Sequence, residues 1–495
     1  MKLSTLLNTS DYTLVKGTLD KEIKELVYHS DKACEDSLFF AIEGENEDGK
    51  GYIDRAIEKG AAAVVFDGEL PAVLCRDVTM IKVHDARRAM AEAAAEFYGN
   101  PSEKLLTIGV TGTKGKTTTT FMIFEILQRA GIKTGLIGTV FNGTAGNLKS
   151  SQMTTPESLE IQRLFREMVD DGCKAVVMEV SSQGVKKKRV EKISFDIGVF
   201  TNISPDHIGK GEHEDYTDYR RCKNEFFKMC KRAVINIDQR EWPQMVAGAD
   251  LEKIVFYGKK QEADFSIGKI RLKNEEGILG AEYLLHSKSP CGDGKNHQIT
   301  IDLPGEYNVY NGSAAIAVTK SLGVPWSVIK ETLREIQVPG RTEIVPYSDD
   351  FTVIVDYAHN GASAENLLKS IKEYNPSRIV TVFGCGGQRD VGRRKDMARA
   401  VSKYADLIII TSDNPRNESQ EKIAADIMAY ITDKSKAYII NNRRQAIAHT
   451  LQVGRKGDII IVMGKGHETY QIVGDKRYHF DDREEILKAK ERNIL

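Results

Sequence analysis

The chain has 495 residues, of which 41% are hydrophobic and 28% are charged, and its formal net charge is −1. This length exceeds one ordinary hydrophobic core and predicts two to four domains. The near-neutral charge argues against bulk binding to nucleic acid or acidic membranes, and the 7 cysteines, which lie apart without a CxxC pair, argue against a disulfide framework or a zinc site.

The N-terminal segment shows no pattern typical of export. "MKLSTLLNTS" lacks the long apolar region of a signal peptide, and the chain contains no run of 18 apolar residues. We therefore expect a cytoplasmic protein without stable membrane insertion. Short apolar runs and a helix over residues 86–98 follow, and the Asn-Pro of "YGNPSEKL" predicts the end of that helix and a linker.

From Leu105 onward, apolar strand-like runs alternate with helical segments. "LLTIGV", "KAVVMEVSS", "DIGVFTNIS" and "RAVINID" form a first set. "FTVIVDYAH", "SRIVTVFGCGG", "ADLIIITSDNP" and "DIIIVMGKGHE" form a second set, and each of these ends at a polar or glycine-rich tip. The alternation predicts an α/β fold with mostly parallel sheets covered on both faces. Because ligands bind at the carboxyl ends of such strands, the second set predicts a second binding face.

The segment "VTGTKGKTTTT" lies between the first of these strands and a helix. Its glycines let backbone N–H groups point at phosphate oxygens, a lysine can reach the β- and γ-phosphates, and a threonine hydroxyl can contact Mg²⁺. The strict GxxxxGK[ST] pattern is not met, since Val110 stands where its first glycine would be, and a glycine turn without phosphate is the alternative. The predicted ATP-binding residues of this loop are Gly112, Thr113, Lys114, Gly115, Lys116, Thr117 and Thr118.

This loop resembles the "TGTNGKT" of the Mur ligases and of the related folylpolyglutamate synthetases. Further motifs of the Mur ligases follow it in family order over most of the remaining chain. They are "TTPES" (154–158), "MEVSSQG" (178–184), "TNISPDH" (201–207), "YRRCK" (219–223), "GEYNVYN" (305–311), "GRTE" (340–343), "DYAH" (356–359), "FGCGGQRDVGRR" (383–394), "DNPR" (413–416) and "GKGHETYQIV" (464–473).

The resemblance implies a three-domain α/β architecture. A UDP-substrate-binding domain would cover residues 1–103, a central parallel-sheet ATP-binding domain with the phosphate loop residues 104–337, and a Rossmann-like amino-acid-binding domain residues 338–495. The last three motifs are similar to those of the Mur ligases that add meso-diaminopimelate to UDP-N-acetylmuramoyl-L-alanyl-D-glutamate. The implied activity is an ATP-dependent amide ligation through an acyl phosphate in peptidoglycan precursor synthesis, by a monomer without a nucleic-acid partner.

The resemblance also implies catalytic residues around ATP. Thr117 and Glu179 correspond to ligands of a first Mg²⁺, and His207 corresponds to a ligand of a second. Lys223 corresponds to a lysine that reacts with CO₂ to give a carbamate, an anion that supports the second metal. Lys116 would stabilise the transferred phosphate. From the later segments the resemblance adds the ATP-binding residues Asn308, Asn311, Arg341, Asp356 and His359.

For the two other substrates the resemblance implies separate sets of residues. Arg416 would bind the distal carboxylate of diaminopimelate by paired hydrogen bonds, which lysine-adding relatives do not need. The full acceptor set is Arg389, Asp413, Asn414, Pro415, Arg416, Gly464 and Glu468. The set predicted to bind the UDP-linked substrate is Ser30, Thr154, Thr155, Ser181, Lys187 and Arg189.

Four positions depart from the family motifs: Asp31, Lys114, Met153 and Gln183. Two alternative functions therefore stay open at this point. One is a paralogue in the same fold that joins another amino acid, such as lysine or lanthionine, to a related carboxylate. The other is a non-catalytic nucleotide-binding regulator, which would need neither Lys223 nor the paired DNPR and GKGHE motifs.

Overall fold

A computed structural model of the protein describes residues 1–44, 47–69, 78–206, 208–209, 211–275 and 277–494. The chain divides into two compact units: unit 1 comprises Met1–Asp264 with Ala314–Pro325, and unit 2 comprises Phe265–Ser313 with Trp326–Leu495. The three predicted domains do not coincide with these two units, and the division into three domains stays a prediction. No helix in the described ranges is long and apolar enough to cross a membrane.

Unit 1 begins with a five-stranded sheet of order β1-β5-β4-β3-β2, in which only β1 pairs antiparallel. Helix α3 begins after Asp85, whose carboxylate accepts from the Arg88 N–H, and ends before Asn100-Pro101 as the sequence predicts. The elements are α1 Leu3–Leu6, β1 Tyr12–Lys16, β2 Glu25–Val27, β3 Ser37–Ala41, α2 Ile53–Glu58, β4 Ala61–Phe66, β5 Thr79–Val83 and α3 Ala86–Phe97.

The rest of unit 1 carries eight strands in the order β13-β12-β11-β6-β10-β7-β8-β9. The strands from β13 to β7 pair in parallel, and β8 and β9 complete the edge antiparallel. The elements are β6 Leu106–Thr111, α4 Lys116–Arg129, β7 Thr134–Ile137, β8 Phe141–Thr144, β9 Asn147–Ser150, α5 Ser158–Asp170, β10 Ala175–Glu179, α6 Ser182–Lys186, β11 Phe195–Phe200, α7 Tyr216–Phe227, β12 Cys230–Asn236, α8 Trp242–Met245 and β13 Lys253–Gly258.

Unit 2 contains three antiparallel strands, β14 to β16, and a six-stranded sheet of order β17-β18-β22-β19-β20-β21 that is parallel except at β17. Its elements are β14 Phe265–Glu275, β15 Ile278–Ser287, β16 Asn296–Ile301, α9 Glu306–Ser321 (shared with unit 1), α10 Trp326–Glu335, β17 Glu343–Val345, β18 Thr352–Asp356, α11 Gly361–Lys372, β19 Ile379–Phe383, α12 Gly392–Tyr404, β20 Leu407–Ile410, α13 Gln420–Ala429, β21 Ala437–Ile439, α14 Arg443–Gln452, β22 Ile459–Met463, β23 Tyr470–Val473, β24 Lys476–His479 and α15 Asp482–Ile494.

The central strands of the six-stranded sheet are buried on both faces. Every residue of β19 and of β22 is buried, and separate hydrophobic clusters cover the two sides of the sheet. This explains why these strands appear in the sequence as continuous apolar runs rather than as alternating ones. The predicted α/β class is confirmed, and the polar tips of the runs lie together at the carboxyl edge of the sheet.

Candidate functional site

The phosphate loop in unit 1 has a backbone that requires glycine. Gly112 has φ +154°, and a Cβ added there would collide with the hydroxyl of Thr201. Gly115 has φ +83° and immediately precedes α4 at Lys116. The loop therefore leads straight into a helix N-terminus, where free N–H groups and the helix dipole favour an anion.

Lys116 lies against the inner side of this loop. Its ammonium donates to the carbonyl of Gly112 at 2.8 Å and to that of Thr113 at 3.1 Å. Lys114, at the position where the family motif has asparagine, instead extends toward the Asp206 carboxylate at 3.2 Å. The two lysines of the loop thus differ in placement, and Lys116 is the one held beside the helix N-terminus.

A buried carboxylate lies next to the start of α4. Glu179, at the end of β10, is 1% exposed and accepts from the Thr117 hydroxyl at 3.0 Å. It also accepts from the backbone N–H of Thr139 at 2.7 Å, and a Cβ at Gly138 would come within 2.5 Å of its Oε1. Two hard oxygen donors therefore meet beside the phosphate loop, and this donor set suits Mg²⁺.

Lys223 extends from α7 to the same loop. Its side chain is buried, and its ammonium donates to the carbonyl of Gly112 at 3.0 Å while lying 4.7 Å from the Tyr219 ring centre. Burial lowers the pKa of Lys223 well below its usual value, and the nearby Lys116 ammonium lowers that pKa further. A neutral amine is the form that can attack CO₂, so the setting suits carbamate formation. His207, the predicted ligand of a second metal, lies outside the described residues.

A buried polar network joins α7 to α6. His213 pairs with Asp218 at 3.0 Å through Nδ1 and with the Ser182 hydroxyl at 2.9 Å through Nε2. Asp218 also binds Lys186 at 2.7 Å. Cys222 completes a group of metal-ligand type, but the partners of His213 and Asp218 in the protein already occupy their polar atoms. We therefore interpret the group as a structural link between two helices of the site.

Threonine and serine hydroxyls from two separate segments lie at the carboxyl end of β10. Thr155 donates to the backbone carbonyl of Glu179 at 2.9 Å and contacts the Ser181 hydroxyl at 3.1 Å. Ser181 caps α6 by accepting from the Gly184 N–H at 3.0 Å. Thr154 contacts the Thr139 hydroxyl at 3.1 Å. Three of the residues predicted to bind the UDP-linked substrate therefore lie close to Glu179, the residue predicted to bind metal.

Arg189 is placed differently from a free substrate-binding arginine. It is buried and bonded to the Glu157 carboxylate at 2.9 Å and to the carbonyl of Thr155 at 3.3 Å. Glu157 also binds Arg87 from α3 at 2.9 Å. The guanidinium thus holds the Thr-Thr-Pro-Glu turn in place, a partner that nothing in the sequence pattern indicated.

The departures on the UDP side can be located individually. Asp31 forms ion pairs with Arg55, which lies in α2, and with Lys59, which directly follows α2. The preceding residue, Ser30, is buried. The other two departures on this side are Met153 and Gln183. Met153 lines a cavity of about 920 Å³, and the predicted substrate-binding residue Lys187 lines one of about 350 Å³. Among the residues that the structure describes, the buried side-chain amide nitrogen of Gln183 has no hydrogen-bond partner.

Two asparagines predicted to contact ATP lie near the start of α9. Asn308 is buried and donates to the carbonyl of Pro304 at 2.9 Å. Asn311 is also buried and donates to the Asn308 side-chain oxygen at 2.9 Å. The two side chains are thus hydrogen-bonded to each other and to the backbone before α9.

The segments around β18 hold the other predicted ATP-binding residues. The Arg341 guanidinium stacks 4.8 Å from the Tyr357 ring centre. Asp356 accepts from the backbone N–H groups of Thr342 and Ala358, each at 2.7 Å. His359 donates through Nδ1 to the carbonyl of Tyr357 at 3.0 Å and is exposed.

A charged cavity of about 200 Å³ lies at the carboxyl edge of the six-stranded sheet. It is lined by three arginines and three carboxylates, which suits a small molecule carrying both carboxylates and ammonium groups. The charged lining residues are Arg389, Arg393, Arg416, Asp390, Asp413 and Glu468, and Asn414, Gly464, Tyr357 and His359 line it as well. Of the predicted acceptor set, only Pro415 does not line the cavity.

Arg416 occupies a constrained position in this cavity. Its backbone is left-handed, with φ +53°, and its guanidinium donates to the carbonyl of Gly387 at 2.8 Å. A Cβ at Gly386 would come within 3.2 Å of the same guanidinium, so a side chain there would press against Arg416. The loops after β19 and β20 therefore fix Arg416 together.

Below the cavity, Asn414 and Glu468 share one buried cation. Lys465 is fully buried and donates to Asn414 at 3.2 Å and to Glu468 at 3.3 Å. Asn414 also donates to Glu468 at 3.0 Å. Burial raises the pKa of Glu468, and the Lys465 ammonium opposes that rise. Asn414 is thus engaged mainly with protein groups.

Several residues of the site were not singled out from the sequence. Arg393 and Asp390 belong to a motif that was quoted, so that motif could have indicated them. Lys465 likewise belongs to a quoted motif, whereas Thr139 carries no such signal, because its contact with Glu179 depends on which segments pack beside it. Cys385 also lines the cavity, but burial raises the pKa of its thiol to about 12, so a thiolate nucleophile is disfavoured there.

Three family models match the chain in order. They are "Mur ligase family, catalytic domain" over residues 22–98, "Mur ligase middle domain" over residues 110–319 and "Mur ligase, glutamate ligase domain" over residues 340–466. Together they cover most of the residues of both parts of the site, and Glu468 lies just beyond the last match.

Two curated relatives match over nearly their whole length. The UDP-N-acetylmuramoyl-L-alanyl-D-glutamate--2,6-diaminopimelate ligase 1 of Clostridium acetobutylicum is 42% identical over 488 residues, which cover 98% of each chain. The ligase named for the same substrates in Clostridium tetani is 41% identical over 495 residues and 99% of each chain. A solved structure of a ligase named for these substrates superposes with a TM-score of 0.70 at 27% identity, covering 100% of this chain and 99% of the other.

Proposed function

The chain belongs to the Mur ligase family, and we propose that it is the ATP-dependent ligase that adds meso-diaminopimelate to UDP-N-acetylmuramoyl-L-alanyl-D-glutamate. The observation that carries the choice of acceptor is the cavity of unit 2, where three arginines face three carboxylates. An acceptor with two carboxylates and two amines matches that lining, and lysine, with one carboxylate, leaves an arginine unpaired.

In unit 1 the phosphate loop is the proposed site of the ATP phosphates. Loop N–H groups and the N-terminus of α4 would bind the phosphate oxygens, and Lys116 would neutralise charge that develops during phosphoryl transfer. Thr117 and Glu179 would hold Mg²⁺, since their oxygens already lie 3.0 Å apart. When bound, the metal would supply positive charge to phosphate oxygens.

The substrate carboxylate must be activated before an amine can displace an oxygen from it. Transfer of the γ-phosphate of ATP to the D-glutamyl side-chain carboxylate would give an acyl phosphate and ADP. Attack by the acceptor amine would then form the amide and release phosphate. Thr154, Thr155 and Ser181 would orient the muramoyl-dipeptide, because their hydroxyls lie around Glu179.

Lys223 would act as a carbamate. Its neutral amine would attack CO₂ and lose a proton, and the product would place an anion beside the phosphate loop, where Nζ now lies 3.0 Å from the carbonyl oxygen of Gly112. This anion and His207 would then support a second Mg²⁺. The use of ATP and a UDP-linked intermediate fits a cytoplasmic enzyme.

An acceptor panel tests the assignment. ADP release would be measured with saturating ATP and UDP-linked dipeptide in the presence of meso-diaminopimelate, lanthionine, lysine, ornithine or no acceptor. We expect meso-diaminopimelate to be preferred over lysine by at least about two orders of magnitude, since a charge-assisted pair at a desolvated site is lost with lysine. A preference for lysine would overturn the assignment. Binding of ATP without ADP release under any of these conditions would favour a non-catalytic nucleotide-binding regulator instead.

Arg416→Ala is expected to lose catalytic efficiency with diaminopimelate by roughly ten- to a few-hundredfold, because one charge-assisted pair contributes about 1.5–3 kcal/mol. Lysine use should stay low, since removing a guanidinium builds no pocket for a bare ammonium. Steady-state kinetics with both acceptors measures the effect, and Arg399→Ala, at an exposed position on α12 outside the cavity, is the control. An equal loss for both acceptors would show that Arg416 does not determine specificity.

A further inference from the structure

A fully buried ion pair lies directly beneath the acceptor cavity. Arg443 begins α14 and Asp482 begins α15, and neither side chain is exposed. The pair is bidentate: Arg443 Nε and Nη2 each donate to one oxygen of Asp482 at 2.7 Å. Such a pair in a desolvated setting is held in one geometry by two parallel hydrogen bonds.

The remaining donors of Arg443 bind the backbone of two cavity loops. Nη2 donates to the carbonyl of Met463 at 3.0 Å, and Nη1 lies 3.4 Å from the carbonyl of Ser412. Met463 ends β22 and immediately precedes Gly464, while Ser412 follows β20 and immediately precedes Asp413. One guanidinium thus contacts the backbone just before each of two segments that line the cavity.

These two segments come from strands that are not neighbours. In the sheet, β19 lies between β22 and β20, so their axes are about 10 Å apart. The two segments nevertheless approach closely, since a Cβ at Gly464 would come within 2.9 Å of the Asp413 carboxylate. A small change in the separation of the strand ends would therefore change the shape of the cavity.

We propose that Arg443, held by Asp482, is a positioning residue for the acceptor amino acid: it fixes the separation of the Asp413 and Gly464 segments. The inference rests on the proposed function for the identity of the acceptor. Arg443 donates to Asp482 and to two backbone carbonyls, and it is not among the residues that line the cavity, so its effect on the acceptor is transmitted through the two loops.

A second ion pair, at the amino ends of the strands of the same sheet, provides a matched control. Arg378 and Asp458 form another ion pair with a fully buried carboxylate, and Arg378 Nε donates to Asp458 at 3.1 Å. These residues directly precede β19 and β22, so they tie strands of the same sheet at their amino ends, away from the cavity. Arg378→Lys should therefore perturb the sheet without changing the acceptor loops.

The test compares Arg443→Lys with Arg378→Lys in the full-length protein. Lysine keeps the charge but cannot reproduce the fork of hydrogen bonds to a carboxylate and two carbonyls. We expect Arg443→Lys to raise the KM for meso-diaminopimelate by about ten- to a hundredfold, as displacements near 1 Å do at binding sites. The KM values for ATP and the UDP-linked dipeptide should stay within about twofold of the parent values, and Arg378→Lys should leave all three unchanged.

Calorimetric titration with meso-diaminopimelate gives a second readout that needs no turnover, and Asp482→Asn gives a second variant if Arg443→Lys does not fold. Unchanged acceptor affinity in a folded variant, or equal changes in the KM for all three substrates, would overturn the proposal. Unfolding of both variants while Arg378→Lys folds would also overturn it, since the pair would then be a general support of the fold. If the parent enzyme prefers another acceptor, the proposed function is refuted but the positioning role of Arg443 is not. The KM of each variant relative to that of the parent would then be measured with the preferred acceptor.

Discussion

Lys223→Ala is expected to abolish ligation, with a loss of at least about a thousandfold in kcat. The lysine is buried against the carbonyl of Gly112, and burial together with the Lys116 ammonium lowers the pKa of its amine, which favours the neutral form that reacts with CO₂. Alanine removes the anion that the carbamate would provide. Steady-state release of ADP and formation of the UDP-linked tripeptide measure the loss.

Two further measurements separate a carbamate from a structural lysine. Added acetate or formate should partly restore activity in Lys223→Ala, because a small carboxylate can occupy the space left by the carbamate. The parent should lose activity when CO₂ is removed from the buffer and regain it on addition of bicarbonate. Lys228→Ala, at an exposed position just after the same helix, should show neither effect. Full activity of Lys223→Ala without added acid would refute the carbamate.

Lys116→Ala should slow phosphoryl transfer by roughly a thousandfold, which corresponds to about 4 kcal/mol of barrier. The ammonium lies beside the N-terminus of α4, held by the carbonyls of Gly112 and Thr113, where it can follow charge between the β- and γ-phosphates. Single-turnover formation of ADP, with enzyme in excess over ATP, isolates this step from product release.

The binding of the muramoyl-dipeptide should be nearly unchanged in the same variant, because Thr154, Thr155 and Ser181 make their hydrogen bonds without Lys116. Lys104→Ala, at an exposed position before β6, is the control for a lost surface charge. A single-turnover rate within tenfold of the parent rate would mean that the lysine is not catalytic. A parallel loss of dipeptide affinity would point to a disturbed loop instead.

The fold class could be predicted because its signals are local. The strands β6, β10, β19 and β22 are almost entirely buried, so each appears in the sequence as a mostly apolar run. Helical segments separate most of these runs along the chain. The phosphate loop is local as well, since its glycines, Lys116 and Thr117 are contiguous. The order of strands in each sheet was not predicted, because pairing depends on contacts between segments far apart in the chain.

The partners of Arg189 could not be predicted from the sequence. A motif can indicate that an arginine lies near a substrate, but it cannot show that Glu157 binds this guanidinium at 2.9 Å and that Arg87 binds the same carboxylate. Arg87 reaches Glu157 because α3 lies beside the Thr-Thr-Pro-Glu turn, although 70 positions separate the two residues, and the sequence gives no sign of this contact. Arg189 therefore supports the turn in this structure.

The sequence by itself determined the α/β class, the phosphate loop and the mixture of arginines and carboxylates at the ends of the second set of strands, because these depend on residue type and short spacing. Only the tertiary structure decided which of these groups meet. Glu179 reaches Thr117 because β10 lies beside β6, although 62 positions separate the two residues. Arg443 reaches the ends of β20 and β22 because α14 packs below them. Side-chain partners follow from strand order and helix packing, which are set by the burial of whole elements rather than by any one motif.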